Sequence, residues 1–160
     1  MPHLDVTIET VVAGDLARLG QVRRLLEEYA AALAVDLSFQ DFASELASLP
    51  GDYAPPGGVL MLAEIDAMAA GCVAVRRLDG TCCEMKRLFV RPGFQQSGCG
   101  RRLAEAAIDW ARGAAYQRMR LDTLPTMGAA QRMYERLGFV DVPAYRFNPI
   151  PGTRFMELAL

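Results

Sequence analysis

Apolar residues recur along this chain with two alternating periods. Val6, Ile8 and Val11 form a β-branched run that predicts a strand over residues 5–12. The spacing then lengthens. Leu16, Leu19, Val22, Leu26, Tyr29 and Leu33 recur at three and four residues, which predicts one helix through residue 33, opened at Gly14-Asp15 with Asp15 as its cap. A shorter helix fits 39–48, stopped by Leu49-Pro50-Gly51, and YAPPGG at 53–58 reads as a stiff loop because prolines exclude helix. Three strand-like runs follow at 59–65, 70–78 and 82–90, with Asp66-Ala67 and Asp79-Gly80 at the expected turns of an antiparallel meander. Helical spacing returns over 99–113, with Leu103, Ala107 and Trp110 on one face, and again over 128–137, closed by Gly138. A strand at 116–123 separates these two helices, and strands at 139–142 and 153–159 end the chain, with Pro143, Pro149 and Pro151 marking the loop between them. The order β-α-α-β-β-β-α-β-α-β-β predicts an α/β (α+β) fold: one mixed sheet of about six or seven strands flanked by about four helices, in a single domain over 1–160.

Composition narrows the function classes. The chain has 160 residues, 52% hydrophobic and 22% charged, enough to bury a real core. A net charge of −2 and a pI near 5.4 argue against general nucleic-acid affinity, which needs a basic footprint. Arg18, Arg23 and Arg24 read as solvated charges on the first helix. The start MPHLDVTIET lacks the basic-then-apolar pattern of a signal peptide, and the longest apolar stretches are broken by Glu64, Asp66 and Gly71. A cytoplasmic protein that neither spans a membrane nor binds nucleic acid is expected.

Cys72, Cys82, Cys83 and Cys99 form no CxxC pair and no cluster with histidine, so neither zinc nor another metal is expected. His3, the only histidine, sits at the N-terminus, which leaves little basis for a Cys/His or Ser/His catalytic pair. Reduced, buried, structural thiols are the expectation.

The glycines after the third meander strand carry the chemistry. A dinucleotide fingerprint fails because its third glycine position is Leu103, and an NTPase phosphate loop fails because Cys99-Gly100 stand where Lys and Ser/Thr are needed. What remains is Q-x-x-G-x-G at Gln95, Gly98 and Gly100, a tight strand-to-helix turn. Free amides at a helix start suit an anion, since unsatisfied N–H groups and the positive end of the helix dipole point outward together.

The fuller pattern V-x-P-x-x-Q-x-x-G-x-G-x-x-L is filled by Val90, Pro92, Gln95, Gly98, Gly100 and Leu103, and it resembles the acyl-CoA-binding motif of GNAT-family N-acetyltransferases. The segment from Ala130 through Tyr134 to Gly138-Phe139 resembles the family's next motif, and EMKRLFVRP resembles its central strand. The close resemblance covers 84–139.

It implies the GNAT acyltransferase fold, acetyl-CoA as cosubstrate and direct attack of a primary amine on the thioester. Strands 82–90 and 116–123 should be parallel neighbours that splay to admit the pantetheine arm. The amides of Gln96, Ser97, Gly98, Cys99 and Gly100 should wrap the pyrophosphate, with Gln95 in the same motif and Arg101 and Arg102 near enough to help. Backbone N–H groups of Leu88, Phe89 and Val90 should face the carbonyl oxygen where charge builds. Tyr134 should protonate the leaving thiolate, with a core tyrosine as the alternative. Glu84 stands where several members place a general base; the alternative is a strand carboxylate paired with Lys86 or Arg87.

Three positions depart from the family pattern. Met127 replaces a common asparagine, and Gln95 and Gln96 replace the commoner arginine and glycine or lysine, removing positive charge from the loop. A non-catalytic acyl-CoA sensor or scaffold, and an enzyme for longer acyl chains, are the rival readings. At the acceptor end, 34–58 carries Asp36, Asp41, Glu45 and Asp52 with Phe39, Phe42 and Tyr53. These residues could hold an ammonium group, or they are surface charges and core aromatics; Lys86 and Arg87 could anchor an acidic acceptor instead. The terminal strand TRFMELAL could pair across a two-fold axis in a homodimer, or stand at the edge of a monomer.

Overall fold

The computed structural model describes residues 4–33 and 35–160, without the side chain of Phe39. His3 therefore lies outside the described residues. Seven strands form one mixed sheet in the order β1-β2-β3-β4-β5-β7-β6. They are β1 (Val6–Thr10), β2 (Val59–Ile65), β3 (Met68–Arg77), β4 (Cys82–Val90), β5 (Arg118–Thr123), β6 (Val140–Val142) and β7 (Arg154–Ala159). Four α-helices flank it: α1 (Leu16–Leu33), α2 (Phe42–Ser48), α3 (Cys99–Gly113) and α4 (Gly128–Leu137). Every pair in the sheet is antiparallel except β4 with β5.

Alternation along the strands divides the core. In β2, Val59, Met61, Ala63 and Ile65 face one layer while Leu60 and Leu62 face the other. Leu103, Ala104, Ala107, Ile108 and Ala111 of α3 cover the first face, and Leu19, Val22, Leu25 and Leu26 of α1 cover the second. Burial on both sides explains why β2 and β3 read as nearly continuous apolar runs. Asp15 caps α1 as expected: its Oδ1 accepts from the Arg18 amide at 3.0 Å.

Local chemistry moves some expected boundaries. The helix expected over 39–48 is split into a 3-10 turn at Ser38–Gln40 and α2, because Asp41 adopts φ 54°, which no continuous helix accommodates. Asp66-Ala67 is a two-residue turn with both φ positive, at 51° and 62°. Asp79-Gly80 lies in a longer turn, where Asp79 Oδ1 accepts from the amides of Thr81 (2.8 Å) and Cys82 (2.9 Å).

The terminal strand differs from the sequence-based expectation in position. β7 is neither an edge nor free to pair across a dimer axis along its length, because it lies between β5 and β6. The edge falls to the three-residue β6, and such a short edge is a poor template for strand addition. All four cysteines are free and buried. No described helix is long and apolar enough to cross a membrane.

Candidate active site

The parallel pair β4–β5 holds together only at Cys82↔Arg118, Cys83↔Met119 and Glu84↔Arg120. Beyond Glu84 the two strands part. The cause is a bulge in β4: Lys86 pairs with Ala74 and Phe89 with Cys72, so Arg87 and Leu88 together oppose Val73. Arg87 takes φ 60°, unusual for a residue with a β-carbon, and three side chains hold it there. Glu45 of α2 accepts from its Nε and Nη2 at 2.8 and 2.9 Å, while the rings of Phe42 and Tyr29 face the guanidinium at 5.1 and 5.9 Å. The bulge bends β4 away from β5 and leaves the β5-facing backbone of its second half without a strand partner. Arg91 donates to Ala70 O on the β3 side at 2.8 Å, so alternation turns the Val90 amide toward the gap, with Leu88 next on that side.

A cavity of about 50 Å³ lies in the gap, lined among others by Tyr29, Lys86, Leu88, Asp122, Met127 and Tyr134. Tyr134 is 7% exposed and packs edge-to-face on Phe139 with ring centroids 5.7 Å apart. Burial, with smaller contributions from Tyr29 and Asp122, pushes its phenol above the ordinary value. Its hydroxyl stays protonated through neutral pH and has no hydrogen-bond partner among the described residues. It is thus packed in the core and also lines the cavity. Met127 precedes α4 as its cap residue, and Thr123 Oγ1 approaches its sulfur at 3.7 Å.

Beyond Val90 the chain forms a 3-10 turn at Pro92–Ser97, then Gly98 at φ 81°, then α3. The first helical bond is Arg102 N–H to Gly98 O at 3.1 Å, so the amides of Gly100 and Arg101 precede any intrahelical acceptor. The Cys99 amide donates to Ser97 Oγ at 3.2 Å. A β-carbon at Gly98 would meet nothing within 4 Å, and one at Gly100 only Val90 Cγ2 at 3.5 Å. At Gly100, packing within the protein does not demand glycine. Gln95 and Gln96 are exposed, with Gln95 Nε2 reaching Val90 O at 3.3 Å. Arg101 pairs with Glu105 at 2.8 Å on the surface, and Cys99 is buried.

Glu84 lies beneath this region, wholly buried, and lines neither the gap nor the groove described next. Its Oε1 accepts from Arg76 Nε at 2.9 Å and its Oε2 from Tyr145 Oη at 2.5 Å, with Arg146 Nη2 at 3.3 Å and Lys86 Nζ at 3.9 Å. Lys86, one of the two partners anticipated for a strand carboxylate, is the most distant of these; Arg87 goes to Glu45 instead. A groove of about 550 Å³ opens on the α2 side, lined by the cations Arg76, Lys86 and Arg146 and by the carboxylates Asp41, Glu45 and Asp52. Lys86 borders both spaces, and burial with the neighbouring Arg87 pulls its pKa down to about 7. Sequence reading missed Tyr145 and Arg146, which sit in an aperiodic proline-flanked loop. Arg76 was findable: it pairs in register with Glu84 across β3–β4.

A splayed parallel pair beside an amide-rich helix start, with a phenol in the gap, defines an acyl-CoA-dependent acyltransferase architecture. The family model described as "Acetyltransferase (GNAT) family" matches residues 16–139. The chain is 38% identical over 144 residues to an uncharacterized N-acetyltransferase of Schizosaccharomyces pombe, covering 89% of this chain and 88% of that one. It is 30% identical to one of Dictyostelium discoideum, covering 89% and 95% of the two chains. An acetyltransferase structure from Streptococcus agalactiae aligns over 100% of both chains with a TM-score of 0.74 and 21% identity, which speaks to the fold. The chain belongs to the GNAT acetyltransferase family, and it is an N-acetyltransferase.

Proposed function

We propose that this protein transfers the acetyl group of acetyl-CoA to a primary amine by direct attack, with no covalent enzyme intermediate. The observation that carries this reading is the unpaired second half of β4 facing a cavity that also holds the Tyr134 phenol. The pantetheine arm would supply the missing partner for that backbone, with the pyrophosphate at the amides from Gln96 to Gly100 and at Arg101. As the C–N bond forms and the C–S bond breaks, the Leu88 and Val90 amides receive the developing oxyanion, Tyr134 gives its proton to sulfur, and the proton shed by the amine nitrogen passes to solvent, from which the phenol is restored.

Glu84 is given a positioning role. A buried carboxylate already contacted by Arg76, Tyr145, Arg146 and Lys86 supports holding the groove's cations in place more than exchanging protons with an amine. The four buried, unpaired thiols support a reducing, cytoplasmic setting.

Calorimetric titration with acetyl-CoA, compared with dephospho-CoA, followed by thiol release across an amine panel, tests the reading. Micromolar binding with amine-dependent thiol release is the expected result; absence of binding removes the coenzyme site and the mechanism with it.

A further inference from the structure

Three cations that line the groove beside the acetyl-transfer gap crowd around one buried carboxylate. Arg76, Lys86 and Arg146 converge on the wholly buried Glu84. Among the described residues the one other carboxylate within 4 Å of these cations is Asp122, which Arg146 Nη2 reaches at 2.9 Å and Asn148 Nδ2 at 3.2 Å. Three cations therefore share two carboxylates, and Lys86 is the most deeply buried of the three. The shortage shows in individual atoms. Lys86 Nζ has only Gln40 Oε1 at 3.4 Å and Glu84 at 3.9 Å, although its side chain is 6% exposed. Arg146 Nε is buried with no acceptor among the described residues. A buried ammonium with contacts this long is poorly compensated, and its depressed pKa expresses the same deficit.

Position adds the second argument. Lys86 lines both the small gap and the large groove, so it marks their junction. The gap, about 50 Å³, is the smaller space and takes the reacting centre, while the groove of about 550 Å³ offers room for the rest of an acceptor. The substituent on the amine-bearing carbon then passes beside Lys86. An anionic group there would satisfy the ammonium and complete the charge balance.

We propose that the acceptor is an α-amino acid, its carboxylate held by Lys86 and Arg146 at the junction, its amine in the gap and its side chain in the groove. This rests on the acetyltransferase reading above and names its substrate class. Asp41, Glu45 and Asp52 also line the groove, so neutral and basic side chains fit beside them better than acidic ones.

The test uses matched pairs of a free amino acid and its carboxamide, such as leucine with leucinamide and lysine with lysinamide, assayed by thiol release from acetyl-CoA. The wild-type enzyme is expected to prefer the acid by at least tenfold in kcat/KM. Lys86→Met should shrink that preference to within about threefold, mainly through KM, and Lys86→Arg should restore most of it; loss of one charge-assisted contact accounts for a change of this size. Acetyl-CoA affinity, read by calorimetry on the same variants, reports the coenzyme site separately. Equal turnover of acid and amide, or a preference for the amide, overturns the amino-acid proposal while leaving the acetyltransferase intact. Binding of acetyl-CoA without thiol release to any free amino acid overturns it as well. Absence of acetyl-CoA binding overturns both.

Discussion

Replacing Glu45 by glutamine tests what holds the bulge open. The Arg87 side chain is 2% exposed and Glu45 17%, and they share two hydrogen bonds of 2.8 and 2.9 Å. Removing the charge from one partner of a buried pair costs about 3–5 kcal/mol, because the remaining ion is stranded without compensation. Two features reduce that figure here. Glutamine keeps one acceptor oxygen, and the Phe42 and Tyr29 rings still face the cation. The expected loss is about 2–3 kcal/mol, which for a domain of this size lowers Tm by about 4–10 °C.

Thermal and urea unfolding of Glu45→Gln, Arg87→Met and the double variant Glu45→Leu/Arg87→Met would measure it. The double variant should recover much of the loss, since an apolar pair leaves no stranded charge. A Glu45→Gln protein melting within about 1 °C of wild type, an effect of under half a kcal/mol, would refute the premise that the pair is desolvated.

Three further outcomes follow from the site. Tyr134→Phe should lower kcat by about a hundred- to ten-thousandfold with acetyl-CoA affinity retained, as one acid–base group contributes on that scale; unchanged turnover in steady-state kinetics removes Tyr134 from proton transfer. Gly100→Ala should leave Tm unchanged or slightly raised, because the β-carbon meets only an ordinary contact and alanine favours helix, yet it should weaken acetyl-CoA binding at least tenfold. Equal affinity by calorimetry would show that phosphate does not approach that backbone.

The depressed pKa of Lys86 makes stability pH-dependent. Between pH 7 and 8.5 the unfolded chain keeps a proton on this lysine that the folded chain has largely lost, so unfolding free energy rises with pH across that window. Above about 8.5 the trend turns over, because burial raises the thiols of Cys72, Cys82, Cys83 and Cys99 while the unfolded thiols ionise. Urea unfolding should show Lys86→Met lacking the rise; an identical slope in wild type would mean that the ammonium is solvated.

The elements were legible because each is locally consistent. α3 and α4 carry a single buried stripe, and Asp15 and Gly138 sit at caps that their chemistry favours. The turn from Val90 to Leu103 was legible through its match to the family motif, and Gly98, at φ 81°, is the glycine in it that the backbone itself requires. What could not be read depends on register or on contacts between distant segments. The Arg76–Glu84 pair needs the β3–β4 alignment, and the Tyr145 hydroxyl reaches Glu84 from a loop 61 residues away. The interior place of β7 follows from a crossover that places it beside β5 before β6 adds outside, and no residue of TRFMELAL announces it.

The bulge at Arg87 also resets the phase of β4. Before it, the odd-numbered Cys83 and Met85 face the α3 layer; after it, the even-numbered Leu88 and Val90 do, while Phe89 turns to the α1 layer. β4 is thus two half-strands spliced out of frame, and this is why CCEMKRLFV shows no clean alternation. No substitution at a single site can restore the frame, because every residue downstream already faces the layer that suits it. Only an insertion or deletion could do so, and it would exchange the surroundings of Leu88, Phe89 and Val90 together. The open gap is therefore written in the length of the strand as well as in its residues, and it should tolerate drift in side chains far better than the gain or loss of one codon.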